Sequence, residues 1–240
     1  MSEQPAPLFS ITRPTGRLAD YVRAVWTLDV PRELAADVEQ PVVPDGCPEL
    51  IFNLGDPIVR VRGAAHDVHV EPQVAGQMTG PVLLRLQGRL AIVGVRLHPW
   101  AMHAFLGVDA REMRDTIVPE ALGVHPRLHA ALACLEPDAS LHAFAHGLTR
   151  ALSSFAQQRP LPNQSATTVY RALQHLARGG PNATVRSVSR DLGRSERHLQ
   201  RVFEDSVGLT PKLYLRLARM QRALAMAVKT PRQVLDSNRH

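Results

Sequence analysis

Hydrophobic positions along the chain change period once, near residue 99. From residue 40 to about residue 98 they alternate. The run QPVVPDGCPELIFNLGDP holds two short apolar stretches separated by Pro-Asp-Gly, a turn tripeptide. IVRVRG and DVHVEP follow, with apolar residues at every second position. VLLRLQGRLAIVGVRLHP reads as a hairpin, two apolar runs broken at Gln87 and Gly88. Short strands with turn signals between them predict a small barrel or sandwich. Upstream, residues 1–16 read as a loose arm. Residues 18–28, with Tyr21, Val25 and Trp26 on one side, suit a strand or a short helix.

Beyond residue 99 the spacing is helical. Residues 101–106 predict a short helix ending at Gly107. Asp109 and Glu112 have the spacing of a capping box. Leu128, Leu132 and Leu135 mark a helix that stops at Pro137, and Leu141, Phe144, Ala145, Leu148 and Leu152 line a longer one that fades by Gln158. RPLPNQS (159–165) is polar with two prolines and reads as a linker. Val169, Leu173 and Leu176 then stripe a helix ending at Gly179 and Gly180. The fold class is α+β. A β-rich first unit closing in helices (1–158) is followed by an all-α unit (166–229) and a tail (230–240).

Residues 183–211 carry the strongest local signal. Val185, Val188 and Leu192 fall at i, i+3 and i+7, one apolar stripe of a short helix. Gly193 ends it, and Ser195 is a good N-cap for a second helix over residues 196–206. Leu199, Val202 and Phe203 form the inner face of that helix, and Gly208, Thr210 and Pro211 close it. Two helices across a tight turn make a helix-turn-helix, whose second helix enters the DNA major groove. Arg197, Gln200 and Arg201 fall at i, i+3 and i+4, so they share the face turned away from Leu199 and Phe203. Arginine matches guanine O6 and N7, and glutamine matches adenine N6 and N7. These three are the predicted base readers. Arg194, in the turn, leads the predicted phosphate contacts, with Arg186, Arg190 and Arg216 nearby. Val188, Leu192, Leu199 and Phe203 are the predicted core of the motif.

SERHLQRVF (195–203), VGLTP (207–211) and Tyr214-Leu215-Arg216 resemble the first helix-turn-helix of AraC/XylS-type transcription regulators. The resemblance implies that the positions of Arg197, Gln200 and Arg201 face DNA. It also implies that Leu199 and Phe203 are buried and that Pro211 starts a long helix joining two such units. Residues 230–240 are too few for the family's second unit, so the chain is expected to carry the first alone. PDGCPELIFNL (44–54), GVRLHP (94–99) and FLGVDAREMRD (105–115) resemble an AraC-associated N-terminal domain of uncharacterised role. By analogy such a domain senses a small molecule or dimerises.

Charge sharpens this division. The chain has 28 Lys and Arg against 22 Asp and Glu, a net charge of +6. Residues 163–240 hold 14 of the basic residues and 5 of the acidic ones, so the positive excess sits with the helix-turn-helix. Cys47 and Cys134, far apart, make no disulfide framework and suit a reducing cytoplasm. Residues 1–9 lack a basic n-region and an apolar h-region, which predicts no signal peptide. No apolar run reaches the roughly 18 residues of a membrane helix.

Candidate chemistry elsewhere is thin. GxSxG, GxxxxGK[ST] and GxGxxG are absent, which argues against hydrolases, P-loop NTPases and dinucleotide enzymes. His142 and His146 stand at i, i+4, but no HExxH or paired cysteines accompany them, so no metal or other cofactor is expected. Asp45-Gly46 reads as turn chemistry and Cys47 as a small residue at a strand start. Glu49 and Asn53 are candidates for a ligand pocket. The leading expectation is a non-enzymatic, sequence-specific transcription regulator of bacterial type, activator or repressor. Its partners would be double-stranded DNA, a small-molecule effector, a second copy of the chain and, for an activator, RNA polymerase. The alternative is a small-molecule-binding or heterodimerising protein whose truncated helix-turn-helix grips DNA weakly or not at all.

Overall fold

The computed structural model describes residues 8–34, 38–62, 65–69, 72–137, 140–160, 162–178 and 183–229. Its first half is built of ten strands: β1 (Leu8–Thr12), β2 (Val22–Val30), β3 (Val38–Val42), β4 (Glu49–Asn53), β5 (Ile58–Arg62), β6 (Ala65–His69), β7 (Gln73–Ala75), β8 (Val82–Leu86), β9 (Leu90–Leu97) and β10 (Ile117–Pro119). They form two sheets, of order β1-β2-β9-β4-β7-β10 and β3-β8-β5-β6. Every pairing is antiparallel, and among the described residues neither sheet closes into a barrel. Helices follow: α1 (Glu120–Gly123), α2 (Pro126–Leu132), α3 (Leu141–Gln157), α4 (Gln164–Arg178), α5 (Val185–Asp191), α6 (Glu196–Val207) and α7 (Pro211–Lys229). The α+β class expected from the change of period is the class observed.

The hairpin expected at Gln87-Gly88 does not form. β8 and β9 belong to different sheets. β9 is buried along nearly its whole length, so it sits mid-sheet and is paired on both edges, by β2 and β4. Gly88, at φ 70°, turns the chain around Asp56, whose carboxylate accepts the Arg89 N–H at 2.6 Å. The chain thus crosses from one sheet to the other where a two-residue hairpin would have kept it in one. Gly94 is needed for a different reason. It lies opposite Trp26 in the β2–β9 ladder, and a Cβ there would overlap the indole.

Two further expectations are corrected. Part of the loose arm is β1, which pairs with β2 from Leu8 to Thr12 and is pinned by a 2.7 Å Ser10–Thr27 hydroxyl bond. Residues 1–7 lie outside the described residues, as do Gly179, Gly180 and the tail 230–240. Asp109 caps no helix. Its carboxylate accepts the Arg111 N–H at 2.8 Å, an Asx-turn, and the chain stays in turns to Asp115, itself at φ 56°. Residues 18–28 split into a 3₁₀ turn (Gly16–Asp20) and the start of β2. Residues 102–106 form a π-helical turn that ends at Gly107, as the spacing suggested.

Period-2 alternation decides where the core lies. Leu50 and Phe52 of β4 point to one face of the six-stranded sheet, with Val25, Val93, Val95 and Leu97. Helix α3 covers that face with Phe144, Leu148, Leu152 and Phe155. Ile51 and Ile92 point the other way and meet Ile58, Leu84 and Leu86 of the four-stranded sheet. A second core holds α4–α7, with Val169, Leu176, Val188, Leu199, Phe203, Val207 and Leu215, and Trp100 packs into it from the first half of the chain.

Specific bonds tie the segment after α3 back onto the first half, and others join the first half to α6 and α7. Arg159 donates to the Ala104 carbonyl at 3.0 Å, Arg17 donates to the Arg159 carbonyl at 2.6 Å, and the Tyr21 hydroxyl donates to the Pro160 carbonyl. Arg111 pairs with Asp205 on α6. Gln221 of α7 donates to the carbonyls of Val43 and Pro44 at 3.2 and 2.8 Å.

Candidate nucleic-acid interface and interior cavity

Local chemistry fixes the α5–α6 pair. The Thr184 hydroxyl accepts the Ser187 N–H at 3.0 Å, and Ser187 returns the bond by accepting the Thr184 N–H at 3.1 Å, a reciprocal cap on α5. Gly193, at φ 62°, ends the helix, and the Arg194 N–H reaches back to the Ser189 carbonyl at 2.9 Å. Ser195 starts α6 by accepting the His198 N–H at 3.1 Å. Gly208, at φ 76°, ends α6 and donates to the Glu204 carbonyl. Cap, turn and stop therefore stand where the sequence placed them.

Between these stops α6 has two faces. Leu199, Val202, Phe203 and Val207 are buried against Val188, with Leu192 half-buried beside them. Arg197, Gln200 and Arg201 are exposed on the opposite side. The Gln200 amide donates to Glu204 at 3.0 Å, one turn along the same face. Arg190, Arg194 and Arg216 are exposed, and Arg186 forms an open 3.5 Å ion pair with Glu196 at the start of α6. Arg186 and Arg194 thus stand beside the N-terminal end of α6, whose partial positive charge adds to theirs.

A separate cavity of about 280 Å³ lies between the two sheets. Glu49, Ile51 and Asn53 line it from β4, as alternate residues must. Ile58 and Arg60 line it from β5, Val82 and Leu84 from β8, and Gln221 closes it from α7. One wall is electrostatically complete. Arg96 Nε donates to Glu49 at 2.8 Å and sits 3.3 Å from Asp45, while Trp26 Nε1 donates to Glu49 at 3.2 Å. Burial raises the Glu49 pKa above the usual carboxylate range, and the Arg96 guanidinium only partly offsets it.

Next to this wall the segment 44–47 forms a strap between cavity and helices. The Cys47 N–H is accepted by Asp45 at 2.9 Å, the turn expected there, with Gly46 at φ 77°. Tyr214 of α7 packs so tightly on Gly46 that a Cβ there would lie 2.7 Å from its ring. Burial, then the Asp45 charge, push the Cys47 thiol up to about 12, so it is no nucleophile.

Both candidate pocket residues line the cavity, with different capacities. Asn53 is committed: its Oδ1 accepts the Gly55 N–H at 3.1 Å and its Nδ2 donates to the Asp56 carbonyl at 2.8 Å. Glu49 accepts two donors already. Arg60, Arg96 and Gln221 line the cavity too, and nothing in their sequence spacing singles them out for it. For Arg60 a signal existed but pointed outward. In IVRVR the apolar pair Val59 and Val61 would normally take the inner face, yet Ile58 and Arg60 take it, with Arg60 only 7% exposed. His142 and His146 are exposed on α3, and among the described residues no group of three or more His, Cys, Asp or Glu gathers to hold a metal ion. No helix of the described residues is long and apolar enough to cross a membrane.

Residues 11–119 match the family described as a domain of unknown function (DUF6597), which spans both sheets and stops short of the helical half. No curated protein sequence matches the chain. Among solved structures the chain is similar to the AraC-like transcriptional activator CuxR, at 14% identity over 91% of this chain and 87% of that one. The TM-score of that superposition is 0.28, too low to establish a shared fold.

Proposed function

We propose that the chain is a non-catalytic, sequence-specific DNA-binding transcription regulator. Residues 166–229 are its DNA-binding unit and residues 1–158 its sensing or dimerising unit. α5 and α6 act as a helix-turn-helix, with Arg197, Gln200 and Arg201 reading base edges in the major groove and Arg194, Arg186, Arg190 and Arg216 meeting phosphates. One observation carries the reading: the three predicted base readers are exposed on one face of a helix whose other face is anchored by fully buried Leu199 and Phe203. The basic excess of residues 163–240 supports it, as does the resemblance of residues 195–216 to AraC/XylS-type regulators.

Specific DNA interfaces usually bury about 1,000–2,500 Å² of protein, more than one short helix-turn-helix supplies. The regulator therefore binds tightly as a dimer and weakly as a monomer. The test is fluorescence anisotropy on random-sequence duplexes across a salt series, followed by selection from the same pool. Affinity falling steeply with salt counts phosphate contacts. Enrichment of a motif that the Arg197→Ala/Arg201→Ala double variant loses supports base reading by α6. Absence of binding at low salt removes the proposal. So does nanomolar binding of a single half-site by a monomer, as far as dimerisation is concerned.

A further inference from the structure

The cavity wall formed by Asp45, Arg96 and Glu49 carries both signs of charge but leaves hydrogen bonds unmade. Trp26 Nε1 and Arg96 Nε both donate to one oxygen of Glu49, Oε1. The other, Oε2, accepts nothing among the described residues. It is not sealed either: 18% of the side chain is accessible, and Oε2 is not among the polar atoms buried without a partner. The Arg96 side chain is 37% accessible, and its Nη1 and Nη2 donate to nothing among the described residues. An open acceptor and open donors thus stand on one wall, tied together by the Arg96 Nε–Glu49 Oε1 bond. Arg60 adds nothing to this set. Its Nε and Nη1 are shut off from solvent, and its Nη2 is held by Asp67.

We infer that the cavity binds a small neutral hydroxyl compound, an alkylphenol or alkanol, with its O–H donated to Glu49 Oε2 and its hydrocarbon body between the sheets. Three observations define the class. A carboxylate oxygen without a partner calls for a donor, and a bond to it is charge-assisted. A hydroxyl both donates and accepts, so it serves Glu49 Oε2 and is able to take an Arg96 N–H as well. Carboxylates and a guanidinium share the wall, so a charged ligand of either sign meets like charge there and a neutral one avoids it. Ile51, Ile58, Val82, Leu84 and Met78 supply apolar wall, so the rest of the ligand is hydrocarbon. At about 30 Å³ for each water-sized group, the cavity of about 280 Å³ holds about nine non-hydrogen atoms. 4-Ethylphenol has that size and, with the pKa of a phenol at about 10, is neutral at pH 7.

The assignment deepens the regulator reading by naming the effector class, and it rests on that reading only for the consequence of binding. Val43, Pro44 and Gly46 line the cavity, and Gln221 and Tyr214 of α7 hold those same residues. An occupant that shifts this strap acts directly on the helix that follows α6.

The experiment titrates the intact chain, without DNA, by calorimetry. The probe is 4-ethylphenol. Its controls are 4-ethylanisole, which lacks the donor, and benzoate and phenethylammonium, which carry opposite charges on bodies of similar size. The expected result is saturable one-to-one binding of 4-ethylphenol, at least tenfold tighter than each control. Glu49→Gln turns a pure acceptor into a group that also donates, so it should shrink the preference for the phenol over its ether at least threefold. Val82→Trp, which fills the cavity and leaves Glu49 and Arg96 in the sequence, should abolish binding of both. No binding of 4-ethylphenol by the wild-type chain overturns the proposal, as does equal binding of its ether. Tighter binding of either charged control overturns the neutral class. A phenol-over-ether preference unchanged in Glu49→Gln overturns the role of Oε2, and binding that survives Val82→Trp overturns the location. The wild-type comparison of phenol with ether stands even where a variant fails to fold. DNA binding, measured separately on the ligand-free chain, fails or succeeds independently.

Discussion

Replacing Arg60 by Met should stabilise the protein, although it deletes an ion pair. The guanidinium holds two buried N–H groups without acceptors among the described residues. Each such group costs about 1–3 kcal/mol, and two on one side chain share that cost rather than doubling it. Against this stands the loss of the 2.9 Å bond to Asp67. That carboxylate is 43% exposed, so it keeps much of its hydration, and the pair is worth about 0–1 kcal/mol. Methionine retains the length of the side chain and puts its apolar body among Ile58, Val82 and Leu84. The balance is about 1–2 kcal/mol in favour of the variant. For a chain of this size each kcal/mol moves the melting temperature by about 2–4 °C. Differential scanning calorimetry should show Arg60→Met melting about 2–8 °C above wild type. A variant that melts several degrees lower would show that Nε and Nη1 are satisfied in solution.

Other predictions test other parts of the structure. Gly193 and Gly208 both adopt positive φ, so alanine at either costs about 1–2 kcal/mol of backbone strain. A Cβ at Gly193 meets nothing within 4 Å, whereas one at Gly208 overlaps the Ala110 carbonyl. Thermal unfolding should therefore show Gly208→Ala clearly the more damaging, and equal costs would mean that α6 does not rest on residue 110. His98 is desolvated, stacked on Trp100 and within 3.2 Å of the Ala19 carbonyl, and burial lowers its pKa below 6.5. The unfolded chain then takes up the proton first as pH falls. Stability is full above pH 6.5 and declines below it towards the folded pKa, so a melting series from pH 7.5 to 5 should lose less in His98→Gln than in wild type. A thiol raised to about 12 is protonated at pH 8, so iodoacetamide should label exposed Cys134 in the folded chain and leave Cys47 until denaturant is added. Prompt labelling of both would contradict the burial of the strap.

Features legible in the sequence were those decided by neighbours along the chain. Ser195 accepts the N–H three residues on, Gly193 and Gly208 take the left-handed conformation, and the i, i+3, i+4 spacing sets which side of α6 Arg197, Gln200 and Arg201 occupy. Each depends on a few bonds within one turn, so composition and spacing suffice. Pairing between strands is another matter. Gln87-Gly88 has the composition of a hairpin turn, but the partner of β8 is chosen by β3 and β5, both earlier in the chain. The carboxylate that bends the chain there, Asp56, lies 33 residues from Arg89.

The cavity was half legible for a related reason. Glu49 and Asn53 share a strand face by alternation, so a pocket through one implicates the other. Arg60 obeys the same rule. Its alternation with Val59 and Val61 reads as a solvated edge, and only the stacking of the second sheet on the first turns it inward. The same alternation that groups Glu49, Ile51 and Asn53 also groups Ile58 with Arg60; what alternation within one strand leaves open is which of its two faces the partner sheet covers.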